Sequence, residues 1–197
     1  MHDLSAMPCE GAHDTGGDED EVALIHAAQG HLPAFAPLYQ RYRDRIYAYL
    51  RTRTATAEDA ADLTQQVFLQ ALDALPRYRV RGVPFAAWLF RIARNVAANH
   101  HRRHRQTLAW DRMPEALHPL VEEDPDARIV QGEAVARLRA LLEDCDLGTR
   151  EVLALRFAAR LTVAQTAAVV GKSEAAVKKQ VSRTIHALKE QYHDPQR

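Results

Sequence analysis

Three histidines, His100, His101 and His104, stand among Asn99, Arg102, Arg103 and Arg105 in the stretch NHHRRHR. On a helix, His100 and His104 are one turn apart, and so are His101 and His104, so two imidazoles could share a face and hold a transition metal. No Asp, Glu or Cys lies between Ala74 and Trp110 to complete such a shell, and the neighbouring guanidinium groups repel a cation. The same guanidinium groups suit phosphate, because they are planar, always charged and able to make paired hydrogen bonds to oxygen. The stretch therefore points to a polyanionic ligand, and neither a metal nor a cofactor is expected. A nuclear-localisation run shares this composition, but nothing else in the chain suggests a eukaryotic setting.

The basic run begins earlier. Arg77, Arg79, Arg81, Arg91 and Arg94 precede it, interleaved with Tyr78, Phe85, Trp88 and Phe90. Aromatic rings offer stacking faces to unpaired bases, so the mixture suits nucleic acid whose strands are being separated. Helical spacing places most of these aromatics in a core instead, Phe85, Trp88 and Ile92 first among them. The loop from Arg79 to Pro84 is the better candidate for contacting a flipped base.

A second chemistry-bearing segment is LTVAQTAAVVGKSEAAVKKQVSRTIHALKE. Thr162 and Gln165 form a capping box that opens a helix, Ala167 is small enough for a second helix to cross closely, and Gly171 makes the turn. Ser173 caps the second helix, and Glu174 sits at its positive end. Val177, Val181, Ile185 and Leu188 form an inward stripe, which turns Lys172, Lys178, Lys179, Gln180, Ser182 and Arg183 outward. Lys and Arg neutralise phosphates and Gln and Ser can read base edges, so this helix suits the major groove. An ordinary helical hairpin with a solvated basic face has the same pattern. Every lysine in the chain lies at or after Lys172.

Net charge is zero, but it is the sum of segregated blocks. Residues 74–110 hold eight Arg and no acid, and residues 147–197 hold nine basic residues against four acids. The segments between and before them are acidic, with ten acids against four Arg in residues 111–146 and seven acids with no Lys or Arg in residues 1–34. Two basic patches flanked by segments that repel the same ligand are what a two-point polyanion binder requires. The acidic segments are expected to compete for those patches in the free protein. The three histidines are expected to strengthen binding as pH falls from about 8 to 6.

Elements that could position these residues are all helical. Residues 1–20 lack apolar periodicity and are expected to be a disordered acidic tail. From Asp20 apolar residues recur at three and four residue steps, interrupted at Gly30 to Pro33, through Phe35, Leu38, Tyr42, Ile46 and Tyr49. A helix follows from about Thr56 to Leu75, closed by Pro76, and another opens near Pro84 and runs through NHHRRHR. Residues 107 to about 132 hold three Pro and six acids without a period and read as a linker. No strand pattern appears. The expected fold is all-α, two small helical domains joined by an acidic flexible linker, the second with a helix-turn-helix.

The length of 197 residues fits two small domains, and no apolar run approaches the ~18 residues of a membrane span. The first residues lack the basic start and apolar middle of a secretory signal, which leads to an expected cytoplasmic location. Cys9 and Cys145 allow no CxxC site, and their acidic surroundings disfavour a reactive thiol. No paired carboxylates with a histidine, glycine-rich phosphate loop or nucleophile and base constellation is present, so no enzyme activity is expected.

The stretch DAADLTQQVF from Asp59 to Phe68, followed by ALPRYRVRGVPFAAWLFRIARNVAANHHRR, resembles the second conserved region of bacterial RNA polymerase sigma factors of the extracytoplasmic-function (ECF) class. LGTREVLALRFAARLTVAQTAAVVGKSEAAVKKQVSRTIHALKE resembles their fourth region. The resemblance implies a region 2 domain over residues 21–106, a linker over 107–133 and a region 4 domain over 134–190. It implies that Asp59, Asp62, Leu63, Gln65, Gln66 and Phe68 make or support the contact with core RNA polymerase. Arg79, Arg81, Arg94, Asn95, Asn99, Arg102 and Arg103 would read and melt the minus-ten element of promoter DNA. Lys172, Ser173, Lys178, Lys179, Gln180, Ser182 and Arg183 would read the minus-thirty-five element. This chain departs from the family pattern at Ala61 and Gln66, where Glu is common, at Gln165, again for Glu, and at Ala159-Arg160, where Glu-Gly is common. The resemblance also implies an anti-sigma factor as partner, the chain being monomeric when free or heterodimeric with it, and no membrane insertion. Because the chain ends soon after the C-terminal motif, control is expected to lie in that other protein.

Overall fold

A computed structural model describes residues 15–80, 83–103, 138 and 140–193. Helix α1 (Thr15–Gly30) leads through a short 3-10 turn (Leu32–Phe35) into α2 (Ala36–Arg51), and α3 (Ala57–Ala74) ends in another (Leu75–Arg77). Helix α4 (Phe85–Arg103) completes the first half; α5 (Leu147–Leu153), a π-helical turn (Ala154–Ala158), α6 (Val163–Val170) and α7 (Glu174–His193) form the second. Residues 138 and 140–143 are also helical. The described residues contain no strand, in agreement with the all-α expectation.

Local sequence accounts for the boundaries. The Thr56 hydroxyl caps α3 by accepting from the Asp59 amide at 3.0 Å and donates to the Asp59 carboxylate at 2.7 Å. The Asp146 carboxylate caps α5, and Thr162 with Gln165 forms the expected reciprocal box on α6. Gly171 takes the left-handed conformation (φ 71°) that closes α6, which glycine adopts without Cβ strain. The Ser173 hydroxyl accepts from the Ala176 amide at 3.2 Å and starts α7. One boundary differs from expectation: α1 begins at Thr15, inside the tail assigned to residues 1–20. The helix is tied to the core along its length: the Glu21 carboxylate accepts from the Tyr42 hydroxyl at 2.6 Å, and Ile25 and Ala28 are buried.

Helices α2, α3 and α4 pack their apolar stripes together around Leu38, Tyr42, Ile46, Tyr49, Val67, Phe85, Leu89 and Phe90. Tyr49 meets Phe90 edge to face with ring centres 5.6 Å apart. The two halves pack against each other. Leu155, Ala159, Leu161 and Val169 from the second half belong to the same buried cluster as α2 and α4, and α4 packs directly on α6. The expected flexible linker lies outside the described residues. Among the described residues, a second, thin cluster of Val152, Ala167 and Val177, with Val163, Val170 and Val181 around it, lies within the second half, and Val170 also borders the shared core.

Arg160 is the single non-glycine residue with positive φ, at 52°, among the described residues. A side chain in this conformation brings Cβ against its own carbonyl, at about 1 kcal/mol. Arg160→Gly is therefore expected to raise stability by about 1 kcal/mol or slightly less, measured by urea unfolding of the full chain.

Candidate polymerase and promoter interface

Three surfaces carry the residues singled out from the sequence. On α3, Asp62, Gln65 and Gln66 are exposed, on a face that also carries Leu69, 63 % exposed. Leu63 and Phe68, expected to make or support the polymerase contact, are buried beneath this face, Phe68 edge-on to Phe35 and Tyr39. Their part is to hold the face rather than to form it, because three- and four-residue steps along α3 place them on the stripe with Ala60, Thr64, Val67 and Ala71. Asp59 is taken up by its cap with Thr56. Leu69 was legible as the apolar residue lying off that stripe.

The second surface is the C-terminal half of α4 and the loop before it. Arg79, Asn95, Asn99 and Arg102 are exposed, and Arg102 donates to the Asn99 side chain. Asn95, Asn99 and Arg102 share a face at steps of four and three. Arg81, the side chain of Arg103, His104 and Arg105 lie outside the described residues. Tyr78, Phe85 and Trp88 form an aromatic base to the loop, with Trp88 centred 4.8 Å from Tyr78 and 5.2 Å from Phe85. The Tyr78 hydroxyl donates to the Val83 carbonyl at 2.9 Å and pins the loop across its mouth. From α1, the Gln29 amide donates to the carbonyls of Leu75 and Tyr78 at 3.0 and 2.8 Å, fixing the chain as it enters the loop. No local pattern marks Gln29, whose partners lie more than forty residues away.

Arg94 differs from the rest of its set. Half exposed, it turns toward the second half of the chain, its Nε 4.0 Å from Glu151 Oε1. The Glu151 carboxylate, 13 % exposed, also accepts from the Tyr49 hydroxyl at 2.9 Å and pairs with Arg53 at 2.7 Å. Arg53 lies over the Tyr49 ring at 4.9 Å, a cation–π contact. Nearby, Arg45 donates to the carbonyls of Ala159 at 2.9 Å and Arg160 at 3.2 Å while lying over Tyr42. Arg91 donates from Nε to the Ala168 carbonyl at 3.1 Å, at the end of α6. Four arginines of the first half thus clasp the second. Burial drives the Tyr49 hydroxyl well above its ordinary titration range, so it stays a donor to Glu151. Removing the carboxylate would strand Arg53, 10 % exposed, only while the halves are together. Glu151→Ala is therefore expected to weaken the closed arrangement by about 3 kcal/mol, and small-angle scattering should show a larger radius with helical content retained.

The histidines do not form a metal site among the described residues, where no group of three potential ligands occurs; His104 lies outside them. His101 is half buried, and burial, His100 and Arg53 hold its imidazole below its ordinary value of 6.5. The lowered value reduces the positive charge that His101 can add as pH falls from 8 to 6. A histidine with a lowered value binds its proton less well folded than unfolded, so its contribution is full above about 6.5 and is lost as pH falls through the lowered value. His101→Gln should flatten the fall in melting temperature between pH 7 and pH 5. Burial also raises the Cys145 thiol, whose Sγ contacts the Leu141 carbonyl at 3.7 Å; Cys9 lies outside the described residues.

The third surface is α7. Lys178, Lys179, Ser182 and Arg183 are exposed and lie at steps of three and four along one side. Ser173 and Lys172 are exposed at the turn, but the Ser173 hydroxyl is committed to its cap. Gln180 is half buried, not outward, and is hydrogen-bonded to Lys172 and Thr149.

Residues 38–107 match the family described as Sigma-70 region 2, and residues 148–190 match Sigma-70, region 4. The chain is 34% identical to the ECF RNA polymerase sigma factor BldN of Streptomyces coelicolor over 85% of its own length, and spans 64% of BldN. It is 32% identical to the ECF RNA polymerase sigma factor SigD of Mycobacterium tuberculosis, over 89% of this chain and 84% of SigD. Among solved structures, CnrH in complex with the cytosolic domain of CnrY superposes with a TM-score of 0.62 at 25% identity, covering 88% of this chain and 96% of CnrH. The chain belongs to the ECF RNA polymerase sigma factors, a family of transcription initiation factors. No helix among the described residues is long and apolar enough to cross a membrane.

Proposed function

We propose that this chain is an alternative sigma factor that binds core RNA polymerase, directs it to specific promoters and helps melt the minus-ten element. The observation that carries the reading is the pair of separate basic faces, one at the end of α4 and one on α7, within the two matched regions and in family order. In this reading Asp62, Gln65, Gln66 and Leu69 meet the polymerase. Arg79, Asn95, Asn99 and Arg102 meet the minus-ten strand over the aromatic base of the loop, and Lys178, Lys179, Ser182 and Arg183 meet the minus-thirty-five duplex. The protein supplies recognition and no catalytic centre of its own, and it acts in the cytoplasm.

The clasped arrangement is then a resting form. Elements at minus ten and minus thirty-five lie about 25 base pairs apart, roughly 85 Å along B-DNA. Helices held together by Arg91, Arg45 and Glu151 cannot reach both, so the halves separate on the polymerase. Because CnrH was solved with CnrY bound, an anti-sigma factor holding this chain in the resting form is part of the proposal.

Reconstitution with core polymerase on a promoter library is the test: specific transcripts are expected, whereas tight specific DNA binding without polymerase would make the chain a free-standing regulator. On a cognate promoter, Arg183→Ala should cost about 1 to 3 kcal/mol at one minus-thirty-five base pair if Arg183 touches a base. Uniform weakening with a shallower salt dependence would place it on phosphate.

A further inference from the structure

Helix α7 rests on a thin apolar seat. Val177 and Val181 of α7 pack on Val152 and Ala167, with Val163 and Val170 beside them, all small and none with a directional contact. Such a seat holds a helix down without fixing its rotation about its own axis, and rotation decides which side chains reach a groove.

A chain of polar links crosses the same seat. The Lys172 ammonium donates to Gln180 Oε1 at 2.8 Å, and Gln180 Nε2 donates to Thr149 Oγ1 at 2.9 Å. The Thr149 hydroxyl donates to Asp146 Oδ2 at 2.5 Å, while Asp146 Oδ1 accepts from the Thr149 amide at 3.0 Å. One end of the chain can only donate and the other can only accept. The direction of every link is thereby set, and the Gln180 amide has a single orientation that satisfies both neighbours. The links join the turn before α7, the middle of α7 and the start of α5. Their effect is visible at Asp146, whose carboxyl is held below the ordinary carboxylate range by the Thr149 hydroxyl first, with Lys172 contributing.

We propose that Gln180 is a positioning residue for minus-thirty-five recognition: it locks the rotation of α7 through Thr149 and Lys172, so that Lys179, Ser182 and Arg183 face the groove, and it does not read a base itself. The inference rests on the sigma-factor reading above.

The test uses the full chain with core polymerase and a library randomised in the minus-thirty-five element. Gln180→Met keeps the length of the side chain and removes both links; Thr149→Val removes the hydroxyl; Thr149→Ser keeps it. Both Gln180→Met and Thr149→Val are expected to lower discrimination between the best and scrambled elements about tenfold, and the double variant no further, because the two residues act as one unit. Thr149→Ser should behave as wild type, and the salt dependence should be unchanged in all three, since the phosphate-facing cations remain. A change of preference at one base pair in Gln180→Met that Thr149→Val does not share would make Gln180 a base reader and overturn the proposal. Lowered melting temperatures with unchanged preference would overturn it as well, leaving the links purely structural. If wild type shows no element preference, the sigma-factor reading fails, and the proposal with it; the wild-type control alone reveals that case.

Discussion

The polar contact at the centre of the seam between the two halves is a single carboxylate, set beside the apolar core they share and the carbonyls that Arg45 and Arg91 hold. Glu151 is nearly enclosed, and an enclosed carboxylate costs several kcal/mol unless donors replace its water. Here the replacements come from the other half of the chain: a tyrosine hydroxyl, an arginine stacked on that tyrosine, and a second arginine at the rim. Each donor is itself held by the core of α2 and α4, so the position of the second half is inherited from the first. The same short helix faces both ways. Thr149, two residues before Glu151, turns to α7, and Glu151 turns to α2. Helix α5 thus connects the clasp between halves with the seating of the recognition helix.

Charge segregation gives this arrangement its direction. Arginines of the first half find carboxylate and carbonyl oxygens in the second, which serve as acceptors much as phosphate oxygens would. Arg94 and Arg91 lie on the helix whose exposed end also carries Asn95, Asn99 and Arg102. One helix thus divides its guanidinium groups: Arg91 and Arg94 turn to the second half of the chain, and Arg102 stays at the exposed end.

The features legible in the sequence were those whose cause is local. The caps at Thr162 and Ser173, the turn at Gly171, the apolar stripes of α2, α3 and α4 and the Val177–Val181 start of the α7 stripe all depend on spacings of three or four residues, and all are present. The burial of Leu63 and Phe68 follows from the same spacing, although the family resemblance directed attention to their partners rather than their depth. What could not be read were pairings across distance: Tyr49 with Glu151, separated by 102 positions, Arg91 with Ala168 by 77, and Gln180 with Thr149 by 31. Gln180 shows the limit well. Its position on the helical wheel borders the inward stripe, and only the distant threonine decides that it turns in.

The π-helical turn at Ala154–Ala158 carries one residue more than an α-helix would need. Each residue rotates a helix by about 100°, so the extra one sets the angle between everything before the turn and everything after it. Glu151 stands before it and the Ala159 and Arg160 carbonyls after it, yet all three meet α2. Shortening this stretch by a residue would swing the carboxylate about a quarter turn away from Tyr49 and Arg53 while leaving Arg45 its carbonyls. The number of residues between Glu151 and Arg160 is therefore as much a part of the contact as their identity.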